Sequence, residues 1–253
     1  MKFFGPAVCI LIQFAFSQIS FSQAKQFKAL LITATNGWHH ESIHAGVLAI
    51  QQLGEKNFFD VELLHNPNGF TDAFVAQFKV IIFLNTTGDI FDSTKQKVME
   101  RFIQSGKGYV GIHSASDTEY EWAWYNRLVG RMFYIHPAIQ TAKLNVIDPS
   151  FPGIMGFEQA GLWTDEWYEF GPEKVTDLQY ILAIDESSYN PKAEWGTKKA
   201  VGMGKLHPLS WYHAFDGGRA FYTALGHVPA MFSNSVFLNH IYAGIYWAAT
   251  GKK

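Results

Sequence analysis

Ser93-Thr-Lys-Gln-Lys-Val-Met-Glu-Arg-Phe-Ile-Gln-Ser-Gly106-Lys-Gly-Tyr-Val-Gly-Ile-His113 carries the pattern that decides the fold. Residues 93–105 read as an amphipathic helix, and Gly106 stops it as a C-cap glycine. Residues 109–112 then form a short apolar strand ending in His113, and the acidic, aromatic stretch up to Arg127 is expected to continue directly as a helix. In an open parallel sheet, ligands bind outside the carboxyl ends of the strands, so this junction is where a site is expected. Many α/β enzymes of this layout carry a Ser or Cys nucleophile at such a turn; here the residue is His113.

The same alternation extends outward in both directions. Residues 29–35 are a continuous apolar run of strand length and residues 78–84, apolar but for Lys79, read as a further buried strand, as strands covered on both faces require. Residues 59–64 alternate like a strand, and residues 42–52 have helical spacing. Strand and helix in turn, joined by short connections, predict a parallel doubly wound sheet. Beyond Arg127 the pattern is less regular. Residues 140–147 and 179–184 read as strands, and residues 209–215 and 219–225 pair as a hairpin around Asp216-Gly217-Gly218. An apolar helix at 236–249 follows. No repeat, low-complexity tract or Pro-rich linker divides residues 23–253, which are expected to form one domain.

Residues 1–22 read as a cleaved secretory signal. Lys2 opens a short basic start, residues 3–16 are apolar but too short to span a bilayer, and Ser20-Phe21-Ser22 supplies small residues for cleavage. A retained anchor would need a longer apolar run or stop-transfer charges. The expectation is an exported protein, periplasmic or secreted, with no stable membrane insertion once the signal is gone. Cys9 is the only cysteine and leaves with that segment, which excludes disulfides and thiol catalysis. A net charge of −2 without a basic run argues against nucleic acid. Eight Trp and eleven Tyr could stack on sugar rings or simply fill the core.

Four polar clusters fall at strand ends or in the loops after them. Asn36-Gly-Trp-His-His-Glu-Ser42 offers Trp38, His39 and His40, with Glu41 or Ser42 as a helix cap. The second holds His113 with Ser116, Asp117 and Glu119, and His136 a little further on; Asp117 is placed to orient the His113 ring. Trp163-Thr-Asp-Glu-Trp-Tyr-Glu169 sets Asp165 and Glu166 beside Trp167 and Tyr168, suited to sugar hydroxyls or a divalent cation. The fourth comprises His207, His213, Arg219, and His227 after Gly226. Each has a bland counterpart: a capping or core histidine, a solvated loop acid, a structural ion pair. There is no HExxH, no paired CxxC and no GxGxxG opening a helix.

Five ordered blocks give the chain a family likeness: residues 36–42, 84–89, 111–119 (Gly-Ile-His-Ser-Ala-Ser-Asp-Thr-Glu), 164–168 and 216–227. Together they resemble ThuA-like (trehalose utilisation) proteins, which belong to the class I glutamine amidotransferase-like superfamily. The resemblance implies a flavodoxin-like three-layer α/β sandwich with a mainly parallel central sheet. Amidotransferases place a Cys in a Gly-Ile-Cys elbow and a His late in the chain; here Gly111-Ile112-His113 fills the elbow and Gly226-His227 resembles the late histidine. Without a thiolate no thioester forms from glutamine, so that activity does not carry over. The family's link to trehalose and 3-keto-sugars implies a small-molecule carbohydrate ligand.

The leading expectation is an enzyme acting on a disaccharide or 3-keto-sugar, with His113 and His227 moving protons and Asp117, Asp165 and Glu166 in support. Trp38, His39, His40, His136, Trp167, Tyr168 and Arg219 are the candidate substrate contacts. Two alternatives stay open. One is a non-catalytic sugar-binding protein. The other is a metal-dependent hydrolase with His39, His40, His113, His136 or His227 as ligands to a cation such as zinc; no cofactor is certain. Oligomeric state stays open as well, a homo-oligomer included.

Overall fold

The computed structural model describes residues 1–2, 23–157 and 161–253. The signal peptide expected at residues 1–22 therefore falls, from residue 3 onward, outside the described residues. Among them, the strands are β1 (Lys28–Ile32), β2 (Asp60–Leu64), β3 (Val80–Leu84), β4 (Gly108–Ile112), β5 (Phe133–Ile135), β6 (Gln140–Val146), β7 (Leu162–Asp165), β8 (Glu169–Phe170), β9 (Gln179–Ile184), β10 (Glu194–Trp195), β11 (Lys198–Lys199), β12 (His207–Phe215) and β13 (Gly218–Thr223). The main helices are α1 (Ser42–Lys56), α2 (Asp72–Val75), α3 (Ser93–Gln104), α4 (Ala123–Val129) and a last helix, Ser235–Thr250.

Nine strands form one sheet in the order β2-β1-β3-β4-β13-β12-β9-β6-β7. Strands β2, β1, β3, β4 and β13 run parallel, because each of the first four is separated from the next by a helical crossover. Beyond β13 the pairing turns antiparallel through β12, β9, β6 and β7. The reversal is made by the expected hairpin. Asp216 and Gly217 have φ of 46° and 87°, and two successive positive φ values are what a two-residue turn compatible with strand twist demands.

Side-chain alternation along β4 separates the layers. Tyr109 meets Tyr125 of α4 on one face, their hydroxyls 2.8 Å apart. Gly108 lies against the last helix on the other, where an added Cβ would stand 2.2 Å from the carbonyl oxygen of Ala248. The residues of β3 and β4 are wholly buried, as a strand covered on both faces must be. Gly108→Ala is expected to lower stability by about 2 kcal/mol or more, because backbone rather than a flexible side chain would have to give way. Urea denaturation checks this, and an unchanged midpoint would mean that the helix does not sit so close to the sheet.

Two local expectations are corrected. The segment after His113 does not enter a helix at once: His113–Asp117 is a 3-10 turn and α4 starts only at Ala123. Nor does Glu41 or Ser42 cap α1 with its side chain. The Ser42 hydroxyl instead donates to the Gly226 carbonyl at 3.0 Å, a bond across the sheet end that no local pattern reports.

Candidate functional site

The carboxyl ends of β3, β4, β7 and β13 meet around one point. At the end of β4, His113 adopts φ of 51°, a left-handed conformation that costs a non-glycine residue about 1–3 kcal/mol. The corner is held by Tyr222, whose hydroxyl donates to the His113 carbonyl at 2.7 Å. The imidazole is fully buried and donates its Nδ1–H to the Ala224 carbonyl at 2.8 Å, so Nε2 points its lone pair into the site. Ala224, not Asp117, orients this ring.

His227 follows Gly226, whose φ of 119° only glycine takes readily. That turn is gripped from two sides. The buried Asp165 carboxylate, at the end of β7, accepts from the amides of Gly226 (2.8 Å), His227 (3.1 Å) and Val228 (3.3 Å). From the other side, Asn85 donates to the Gly226 carbonyl at 3.3 Å and to the Ser42 hydroxyl at 2.8 Å. Asn85 is buried, has φ of 50°, and was not among the sequence candidates. Its signals in the sequence are a place in the block 84–89 that carries the family likeness and a polar residue directly after the apolar run 80–84.

Inside this frame the functional side chains converge. His113 Nε2 and His227 Nδ1 are 3.1 Å apart. Glu166 Oε2 lies 3.1 Å from His227 Nδ1 and 3.5 Å from His113 Nε2, while its other oxygen is 3.1 Å from His136 Nδ1. His40 packs edge-on against the rings of His113 and His227, at centroid distances of 4.9 and 5.2 Å. The Tyr168 hydroxyl is 2.8 Å from His113 Nε2. Burial holds that phenol well above its ordinary value, so it stays protonated and donates to the ring.

The electrostatics follow from burial and crowding. Burial, with His113 and His227 close by, lowers His40 to about 3, which keeps it neutral. Burial works to raise Glu166, but the crowd of imidazoles around it, His227 Nδ1 at 3.1 Å in particular, outweighs burial and holds the carboxyl well below the usual carboxylate range. Burial alone would lower His227, whereas the Glu166 carboxylate beside it raises it. An anionic carboxylate thus sits among imidazoles, with His227 beside it as a hydrogen-bond donor.

The cluster forms the floor of a cavity of about 430 Å³ lined by Trp38, His40, Asp117, Phe133, His136, Glu166, Tyr168, Trp195 and His227. Its walls are aromatic and its floor polar, the usual division of a small-molecule site. Trp38 and Trp195 are 72% and 44% exposed, more than large aromatics with a purely structural role would be. Trp195 and Phe133 were missed in the sequence. Trp195 sits on the β10–β11 hairpin, a polar stretch without strand periodicity, and lies edge-on over His136 with centroids 4.5 Å apart.

Other sequence candidates fall elsewhere. Trp167 is 1% exposed and belongs to the core, in the connection between β7 and β8, while its neighbours Glu166 and Tyr168 line the cavity. Arg219 lies near the start of β13, at the opposite end of the sheet, and donates to the carbonyls of Ala248 and Gly106. His39 does not line the cavity; it bonds Thr35 at 3.4 Å and faces a separate surface hollow with His44 and His65. Asp165 touches backbone only and acts through the position of His227. Asp117 does line the cavity, accepting from the Tyr120 hydroxyl at 2.8 Å, and burial raises its carboxyl. His207 is satisfied by the Tyr168 carbonyl on one nitrogen and by Tyr189 and Glu186 on the other, whereas His213 donates Nε2–H to the Leu128 carbonyl and its buried Nδ1 has no partner among the described residues.

The chain is an α/β protein with a large central sheet, a strained corner after the fourth strand and a histidine beyond β13 reaching that corner. The chain belongs to the ThuA (trehalose utilisation) family, whose family model matches residues 28–248. That membership gives it a carbohydrate-related role. Among solved structures, a ThuA-like protein from Parabacteroides merdae superposes with a TM-score of 0.69 at 21% identity, covering 90% of this chain and 91% of its own. One from Bacteroides uniformis gives 0.71 at 19% identity, covering 93% and 96%. A β-galactosidase from Bacillus circulans sp. alkalophilus matches over 90% of this chain but 32% of its own, with a TM-score of 0.56 at 12% identity. These likenesses show the fold. No curated protein matches the sequence.

Proposed function

We propose that this chain is an exported enzyme that acts by proton transfer on a disaccharide or its 3-keto derivative, bound in the aromatic-walled cavity. The observation that carries the reading is the meeting of His113, His227 and Glu166 at the cavity floor, within 3.1–3.5 Å of one another. Family membership supports the carbohydrate, and the exposed indoles of Trp38 and Trp195 supply faces on which a pyranose ring can stack. Export rests on the sequence of residues 1–22.

A carbon next to a sugar ketone is acidic enough for an imidazole or carboxylate to remove its proton. Returning that proton to the neighbouring carbon or oxygen gives isomerisation. Alternatively the electron pair expels an oxygen substituent on the next carbon, which leaves with a proton from a second group. Either course needs a base and an acid facing one substrate, and the titratable groups that face the cavity are His40, Asp117, His136, Glu166, Tyr168 and His227. His113 stands behind them, wholly buried, and positions His227 and Glu166.

The test is incubation with a trehalose-type disaccharide and its 3-keto form, with products read by mass spectrometry. Product formation on the keto-sugar is expected. Saturable binding by calorimetry without any product would replace the enzyme with a sugar-binding protein. Trp195→Ala is expected to raise KM by about 3- to 10-fold with little change in kcat, the worth of one aromatic stacking contact. An unchanged KM would take Trp195 out of the sugar site.

A further inference from the structure

We propose that His40, His113, Glu166 and His227 together hold one divalent transition-metal cation of the zinc type at the floor of the cavity. The inference rests on the preceding reading only for where the reaction takes place; the cation site itself is argued from donor geometry.

Each of the four residues offers one ligand atom, and these atoms lie within 4.8 Å of one another. Three of them form a nearly equilateral triangle: His113 Nε2 to His227 Nδ1 at 3.1 Å, His227 Nδ1 to Glu166 Oε2 at 3.1 Å, and Glu166 Oε2 to His113 Nε2 at 3.5 Å. A tetrahedral ion with ligands at about 2.0–2.1 Å has ligand–ligand edges of about 3.3–3.4 Å. The triangle's edges lie within about 0.3 Å of that range.

Proton bookkeeping points the same way. His113 has spent its Nδ1–H on Ala224, so its Nε2 is an acceptor. Glu166 Oε2 is an acceptor too, and the donors that face this pair are the Tyr168 hydroxyl, 2.8 Å from His113 Nε2, and Nδ1 of His227; a cation on Nε2 would replace the Tyr168 bond. Lone pairs that converge in a buried place are stabilised by a cation.

The surroundings of these ligands also match what metal sites require, since the far atom of a ligand is normally held by an outer partner. The Ala224 carbonyl fixes the His113 ring. The Ser114 hydroxyl lies 3.3 Å from His40 Nδ1, which leaves Nε2 of that ring for the cation. His136 Nδ1 stands 3.1 Å from the Glu166 oxygen that faces away from the triangle. Three of the four ligands are fully or nearly fully buried, and the fourth, His227, opens onto the cavity. Three imidazoles with one carboxylate form a donor set suited to zinc, iron, cobalt or nickel rather than to magnesium or calcium.

The cation narrows the proton carriers. It engages His40, Glu166 and His227, and of the carboxylates lining the cavity it leaves Asp117 outside the donor set. Bound there, a divalent ion would polarise a sugar carbonyl or hydroxyl oxygen.

The experiment uses the full chain, stripped by a chelator and titrated with Co2+ and Zn2+. Bound metal is counted by elemental analysis, and the visible spectrum of Co2+ reports its ligand field. One equivalent per chain and an intense low-symmetry cobalt spectrum are expected. Glu166→Gln and His227→Gln, each nearly isosteric, are expected to weaken binding by more than the about 10- to 100-fold that loss of an outer partner costs. His44→Ala, on the exposed side of α1, should bind as wild type. Folding of every variant is checked by its far-ultraviolet circular dichroism. No stoichiometric metal, or undiminished binding in both Gln variants, overturns the site. Keto-sugar turnover by metal-free protein also overturns it while sparing the carbohydrate reading; bound metal without any sugar turnover does the reverse.

Discussion

His227→Ala is expected to lower kcat/KM on a 3-keto-disaccharide by about 100- to 10,000-fold, the range that removal of a positioned proton-transfer or ligand group covers. His227 is the ring that joins the buried half of the cluster to the cavity: it contacts Glu166 and His113 at 3.1 Å each and also lines the wall. Alanine removes the donor facing Glu166 and leaves that carboxylate with His136 and the more distant His113. The imidazole is partly exposed, so its loss creates no sealed cavity and the fold should survive. Steady-state kinetics beside a thermal melt separate the two effects. A fall of less than tenfold in a folded variant would remove His227 from the chemistry.

Asp165→Ala should be the most damaging change to the architecture of the site. The carboxylate is buried and satisfies three successive amides, those of Gly226, His227 and Val228. Each amide left unpaired away from water costs about 1–3 kcal/mol, so a loss of at least about 3 kcal/mol in unfolding free energy is expected. Activity should fall with it, because the turn carrying His227 loses its anchor on one side while Asn85 and Ser42 hold only the carbonyl. Asp165→Asn, which keeps one acceptor oxygen, should fall between wild type and the alanine variant in both measurements. An alanine variant within 1 kcal/mol of wild type in urea would show that these amides find other partners.

The parallel half of the fold was legible because burial on both faces writes itself into the chain. Residues 80–84 and 109–112 are uninterrupted apolar runs, and they lie in β3 and β4. The hairpin was equally plain, since Asp216-Gly217-Gly218 supplies the residues that tolerate positive φ. The segment after His113 misled because its composition suits a helix, whereas the strained corner and the bond from Tyr222 impose a tight turn first.

At the site, position could be read for residues at strand ends but direction could not. Glu166 and Trp167 are neighbours, yet one points into the cavity and the other into the core. Arg219 and His227 lie close in sequence, one near the start of β13 and one beyond its end, and the strand carries them to opposite ends of the sheet. Trp195 gave no signal because its hairpin draws its place from packing against His136 and Phe133 rather than from any local pattern.

The sequence alone determined the doubly wound architecture, the absence of a thiol at the elbow, and the histidines after the fourth and last strands, since each of these is recorded in residues adjacent along the chain. Only the tertiary structure decided that His40, His113, Glu166 and His227 share one floor, that Asp165 and Asn85 hold the turn bearing His227, and which aromatics line the cavity. Those facts depend on strand order and on which way each side chain leaves its strand. Contacts between residues as far apart as 40 and 227 are set by the burial of the whole core.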